Sequence, residues 1–245
     1  MVAYLLRKNA KVNSDCEVLS PLQIAAMNDN TKIFKIILEH GAKINDHNIH
    51  NNKSPIELAV EHNNIEIARL IVDHKNFGLK CDQSLLHMAI KKNNLEMVSL
   101  LLETGADVDE YDDDGFAPIH HAVKARIDDI LQLLLDYGAD INAKNKYGNT
   151  SFSMVLMHTF HIFYAKSNGP VGLSFPGNTQ NNSKLDILLD NDADIESLDI
   201  RKYLPHINDT NRIIINPKDN DGSSENKKRI IKQIIKHVIL KLVVN

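Results

Sequence analysis

A chain of 245 residues is long enough for one elongated array or for a domain with a tail, and 43% hydrophobic content is that of a folded protein. Tryptophan is absent and aromatics make up only 5%, which fits a helical core of Leu, Ile and Ala. Two cysteines, Cys16 and Cys81, are too few for a disulfide framework, and the net charge of −4 argues against general nucleic-acid binding.

In chain order, MVAYLLRKNAKVN (residues 1–13) reads as the second half of a repeat whose first half is missing, and its apolar run is too short for a signal peptide. The next unit (about 14–45) opens at Ser20-Pro21-Leu22-Gln23 and closes at Gly41-Ala42-Lys43-Ile44-Asn45. A third (about 46–80) opens at Ser54-Pro55-Ile56-Glu57, and a fourth (about 81–109) opens at Ser84-Leu85-Leu86-His87 and closes at Gly105-Ala106-Asp107. The fifth (about 110–142) opens at Ala117-Pro118-Ile119-His120 and closes at Gly138-Ala139-Asp140-Ile141-Asn142. The openings at 20, 54, 84 and 117 are spaced by 34, 30 and 33 residues. The shortest interval contains HKNFGLKCDQ (74–83), too brief for a full hairpin finger, so a blunt loop is expected there.

The fifth unit shows the physics most clearly. Pro118 suits a first helical turn, where its missing N–H would be unpaired anyway. Ile119, Ala122 and Val123 fall on one face of a short helix. A second helix is expected from Asp128 to Tyr137, with acids at its positive end and a stripe of Ile130, Leu131, Leu134 and Leu135. Gly138 ends it, because glycine enters the left-handed cap conformation freely. One such pair cannot bury its apolar face alone; several must stack.

A sixth unit (about 143–200) opens at Thr150-Ser151-Phe152-Ser153, but its closing Asp192-Ala193-Asp194 comes 42 residues later. The extra residues are expected within Ser167 to Asn182, with the second helix resuming at Lys184. Residues 201–226 read as a linker, and Lys227 to Asn245 as a basic amphipathic helix. That segment holds six Lys or Arg and no acid, so the −4 total leaves −10 on the residues before it. The helix could cap the last repeat, lead into a further domain, dock a partner or lie on a membrane surface. No stretch reaches the roughly 18 apolar residues of a membrane span.

Candidate chemistry is sparse. His158 and His161 share a helix spacing but have no adjacent Cys or acid to complete a zinc site. Gly169, Gly172 and Gly177 lack the Gly-Lys-Ser/Thr of a phosphate loop. No catalytic signature is present, and nothing calls for a cofactor or a metal. The acidic run Tyr111-Asp112-Asp113-Asp114 sits at a turn between units, where Asp is favoured on local grounds. The same run could act as an acidic fingertip that selects a basic partner.

The recurring Ser/Ala-Pro-Leu/Ile opening and Gly-Ala exit over roughly residues 1–200 resemble the ankyrin-repeat family, whose units run about 33 residues with a Thr-Pro-Leu-His-x-Ala start. The resemblance implies an all-α solenoid of helix-turn-helix repeats with short hairpin fingers. It also implies a protein-interaction module that binds through fingertips and concave helices, with no enzyme activity. The family's opening His stands at His87 and His120 but is Gln23, Glu57 and Ser153 elsewhere, which is expected to weaken those repeats. Partner-binding residues implied at the fingertips are Asp46, His47, Asn48, Tyr111, Asp112, Asp113, Asp114, Lys146 and Tyr147, with Met27, Glu61, Lys91 and Lys124 bordering the concave side. KKRIIKQIIKHVILKLVVN (227–245) is similar to the segment leading into a PRANC domain, which follows ankyrin repeats in proteins of poxviruses, parasitoid wasps and their bacteria. That similarity implies a substrate-binding adaptor for a cullin ubiquitin ligase if a longer form exists. The alternative is a stoichiometric inhibitor that masks a signalling protein, as ankyrin inhibitors of NF-κB do. Either role places the chain in the cytoplasm or the nucleus.

Overall fold

The structure, a computed structural model, describes residues 19–44, 53–74, 84–125, 128–156 and 179–194, together with positions 4, 8, 10, 12 and 13. The fingertip Asp46-His47-Asn48, the core of the sixth-unit insertion and the basic segment 227–245 lie outside the described residues. The regular elements among the described residues are helices. They are α1 (Pro21–Met27), α2 (Thr31–Glu39), α3 (Pro55–Glu61), α4 (Ile65–Val72), α5 (Ser84–Lys91), α6 (Leu95–Glu103), α7 (Pro118–Ala122), α8 (Asp128–Asp136), α9 (described over 151–156) and α10 (Thr179–Asp190). The chain divides into two compact units, Met1–Asp114 and Gly115–Asn245.

Each hairpin is built by local rules. Pro21, Pro55 and Pro118 occupy the first turn of α1, α3 and α7. Ser20 closes a capping box on α1: its Oγ accepts from the Gln23 N–H at 3.2 Å, and its own N–H donates to Gln23 Oε1 at 2.7 Å. Ser54 and Glu57 repeat this on α3. Between the two helices of a hairpin, Asp29, Asn63 and Asn93 take left-handed φ values of 52°, 64° and 56°. Asn and Asp tolerate that region better than other side chains. The next residue is Asn each time: Asn30 and Asn94 cap α2 and α6, accepting from the N–H groups of Ile33 (3.1 Å) and Met97 (3.0 Å). Asn64 instead turns its amide to the Ala26 carbonyl of the preceding hairpin.

In the first unit α1, α3 and α5 pack side by side, and α2, α4 and α6 form a second layer. Ala26, Ala59 and Ala89 let the first-layer backbones approach closely, while Phe34, Ile67, Ile71, Met97 and Leu101 fill the space between layers. In the second unit α7 packs on α8 and α8 on α10, around Ile119, Ala122, Ile130, Leu131, Leu134 and Leu188. Leu135 is half-buried, so the α8 stripe is narrower than its four expected members. Helix α10 begins at Thr179, ahead of the expected Lys184. Exit-motif asparagines tie neighbouring repeats: Asn13 Oδ1 accepts from the Lys43 N–H at 2.9 Å, and Asn142 Oδ1 accepts from the Asp194 N–H at 2.7 Å.

The opening His acts as a bridge. The Ala117 N–H donates to His120 Nδ1 at 3.0 Å, and Nε2–H faces the carbonyls of Ala143 (3.1 Å) and Asn149 (3.2 Å). Gln23 makes the same connection, accepting from Ser20 and donating from Nε2 to the Lys53 carbonyl at 2.7 Å. The link between repeats is thus kept at Gln23, because an amide offers both a donor and an acceptor at the right span. Glu57 keeps only the accepting half, because a carboxylate has no N–H.

Burial pushes the His120 pKa below the usual histidine range, against the opposing pull of its carbonyl partners. The unfolded chain therefore binds the extra proton first as pH falls through about 6.5, and stability is lost from there down to the folded-state pKa. His120→Gln keeps both bonds and removes the titration. Chemical melts between pH 7.5 and 5 should show a shallower loss for this variant than for the parent, and equal slopes would exclude His120 as the source.

Candidate functional site

Two surfaces collect the residues that chemistry could use. The first lies in the Met1–Asp114 unit. The C-terminal turn of α5 brings His87, Met88 and Lys91 to one side, with Lys92 just beyond it. The finger that follows α6 brings Asp112, Asp113 and Asp114 to the other, enclosing a cavity of about 440 Å³. Lys91 Nζ lies 3.4 Å from Asp112 Oδ2.

The three aspartates differ. Asp113 and Asp114 are exposed, whereas the Asp112 side chain is only 12% exposed. Asp112 folds back toward a lysine 21 positions earlier, so the acidic fingertip expected from sequence consists of Asp113 and Asp114. Tyr111 is exposed but does not line the cavity. Sequence reading missed His87, Met88 and Lys92 as lining residues, although the Lys91-Lys92 pair at the end of a first helix was a visible signal.

The second surface lies in the Gly115–Asn245 unit and joins three residues chosen from sequence: Lys124, Lys146 and Tyr147. Lys124 and Tyr147 meet on Phe116, which sequence reading did not single out, and Lys146 joins through Tyr147. Lys124 Nζ stands 4.8 Å from the Phe116 ring centroid, and the Tyr147 ring packs on Phe116 edge-on at 6.2 Å. Lys146 Nζ lies 5.4 Å from the Tyr147 ring, and His121 sits on the other flank of Phe116 at 5.6 Å. Tyr147 is 68% exposed.

The tip is held by its backbone. The Lys146 N–H donates to the Gly115 carbonyl at 3.0 Å. Gly115 has φ +70°, and a Cβ there would lie 2.9 Å from the Lys146 Cβ, so conformation and space both require glycine. Asn145 is buried and its Oδ1 accepts from the N–H groups of Tyr147 (2.9 Å) and Asn149 (3.1 Å), which fixes the turn.

Among the described residues no helix is long and apolar enough to cross a membrane. A family profile described as ankyrin repeats (3 copies) matches residues 1–81 and 56–145. The ankyrin repeat protein FPV115 of fowlpox virus (strain NVSL) is 33% identical over 117 residues, 48% of this chain and 21% of the viral protein. FPV244 of the same virus is 36% identical over 118 residues, 48% of this chain and 17% of its own length. The NF-kappa-B p105 subunit of Gallus gallus is 31% identical over 128 residues, 49% of this chain and 13% of that protein. The matches to the two fowlpox relatives thus span about a fifth of the length of each.

Proposed function

The chain belongs to the ankyrin-repeat family, whose repeats are non-catalytic protein-interaction modules, and we propose that it grips a protein partner in the groove beside α5 and on its exposed fingertips. The carrying observation is the 440 Å³ groove, where side chains of a first-layer helix and of a finger face each other. Its Lys91–Asp112 pair is half-exposed on the lysine side. Lys91 is the member that water and a partner's carboxylate can reach, whereas Asp112 is largely buried.

The test is capture of partners on this 245-residue chain, followed by association rates for the parent and for Lys92→Glu/Asp113→Lys. Both residues are exposed, so stability should stay within about 0.5 kcal/mol. The association rate should fall at low salt, and the difference should shrink as salt rises. Unchanged capture and unchanged rates would remove the groove from the binding surface.

The resemblance of residues 227–245 to the segment that leads into a PRANC domain supports a role as a substrate-binding adaptor of a cullin ubiquitin ligase in a longer form. The match to the p105 subunit favours a second reading, in which the repeats mask a signalling protein. The two separate experimentally. An adaptor co-purifies a cullin together with the partner, whereas a masking protein blocks the partner's other contacts at equimolar ratio with no cullin present.

A further inference from the structure

We propose that Tyr111 is a phosphorylation site, the substrate of a tyrosine kinase that selects carboxylates around its target. The proposal goes beyond the interaction-module reading and does not depend on which partner the groove takes.

Accessibility is the first ground. Tyr4, Tyr111, Tyr137 and Tyr147 are exposed among the described residues. Tyr4 is helical, and the Tyr137 N–H closes the last turn of α8 on the Leu133 carbonyl. Tyr147 packs on Phe116 and lies under the Lys146 ammonium. Tyr111 differs from all three. Its backbone is irregular, between the turns at 108–109 and 113–114, and its side chain is 46% exposed. Among the described residues no hydrogen bond, ion pair or ring contact engages it. A kinase must bring the phenol between its own catalytic carboxylate and the γ-phosphate. At Tyr111 that movement breaks no contact, whereas at the other three it costs helix or packing.

Charge is the second. Residues 107–114 carry six carboxylates, on Asp107, Asp109, Glu110, Asp112, Asp113 and Asp114, and no Lys or Arg. The groove sets two cations against them: Lys91, which pairs with Asp112, and Lys92. Six negative charges against two positive ones leave −4, and Asp107 and Asp113, on either side of the phenol in sequence, are exposed. A kinase with a basic substrate channel is drawn to such a segment, and one that reads basic flanks is repelled by it.

The chemistry is a phosphoryl transfer from a nucleoside triphosphate. The Tyr111 Oη attacks the γ-phosphorus of ATP, and the bond from that phosphorus to the β,γ-bridging oxygen breaks. ADP leaves, and the phenolic proton passes to the carboxylate base of the kinase. The product carries about 1.5 to 2 further negative charges at pH 7. Because Tyr111 does not line the groove, the phosphate changes the potential at its edge without filling it.

The test uses this 245-residue chain, magnesium ATP and a tyrosine kinase chosen for its activity on poly(Glu,Tyr), with the modified residue mapped by mass spectrometry. Tyr111 should be labelled at least about tenfold faster than Tyr4, Tyr137 or Tyr147, the low end of electrostatic steering. Tyr111→Phe should remove most of the incorporation. Asp107→Asn/Asp113→Asn should slow it about fivefold, the loss of two exposed charge contacts, and the difference should shrink as salt rises. Both positions are exposed, so the variant should keep the parent's melting curve. No label on Tyr111, a heavier label on Tyr4, Tyr137 or Tyr147, or a rate indifferent to the two aspartates would overturn the proposal. Label on Tyr111 only after unfolding in urea would overturn it as well, since the folded finger would then be closed to the enzyme. The readout here is covalent incorporation and that of the groove is an association rate, so either reading can fail alone.

Discussion

Leu134→Ala is expected to destabilise the protein by about 2–5 kcal/mol, the range for truncating a buried leucine. Leu134 is fully buried on α8, a helix that packs against both α7 and α10. A cavity at a fully buried position costs both the transfer of the lost methyl groups and the void they leave. Coupling between adjacent repeats should therefore carry the loss beyond one hairpin. Leu135→Ala is the internal control: it is only half-buried, so its cost should be clearly smaller. The measurement is a urea melt of both variants. A loss below about 1 kcal/mol for Leu134→Ala, or equal losses at both positions, would mean that α8 does not present the face described here.

The comparison between those two leucines shows what sequence could and could not reveal. Periodicity placed Leu134 and Leu135 on the same stripe, because one turn of helix holds several apolar residues and pattern alone does not say how wide the neighbour is. Pro21, Pro55 and Pro118 were legible as helix starts, and Gly138 as an end, since both depend on the residue's own backbone. The left-handed turns at Asp29, Asn63 and Asn93 were also recoverable, because an Asn follows at each: DN, NN and NN stand at the same place in three hairpins. The bridge at Gln23 was not legible for a different reason. The residue was compared with histidine by identity, whereas the bridge requires only one acceptor and one donor at the right distance.

The sites were less legible than the scaffold. Lys124 was read as bordering the concave side and Lys146-Tyr147 as a fingertip, and only the fold shows that Phe116 joins Lys124 to Tyr147. Asp112 looked the same as Asp113 and Asp114 in a run of three acids. It pairs with Lys91, which belongs to another element. Long-range pairings of this kind leave no local trace, because neither partner needs an unusual neighbour in sequence.

Lys184→Met is expected to cost about 3–5 kcal/mol, the range for breaking a buried ion pair by removing one partner. Lys184 looks like a surface residue of α10, yet its side chain is only 5% exposed. The ammonium donates to the Ala125 carbonyl and lies 3.8 Å from Asp128 Oδ1. That separation is an ion pair without a hydrogen bond, and Asp128 Oδ1 is otherwise buried without a partner. Removing the ammonium leaves both a carbonyl and a carboxylate oxygen uncompensated. Because the Asp128 side chain keeps 24% of its exposure, some water can reach it, which favours the lower end of the range. Burial lowers the Lys184 pKa, and the Asp128 charge opposes that shift. With the folded pKa depressed, the unfolded chain binds more protons between that value and about 10.4, so stability from this group rises with pH across that window. Asp128→Asn removes the opposing charge, lowers the Lys184 pKa further and should widen the window downward. Replacing both residues by apolar ones of similar size should cost far less than Lys184→Met alone, because no charge is then left buried. Chemical melts of the single and double variants at two pH values measure all of this. A Lys184→Met variant within about 1 kcal/mol of the parent, or a double variant as unstable as the single, would show that the pair does not hold α10 against the start of α8.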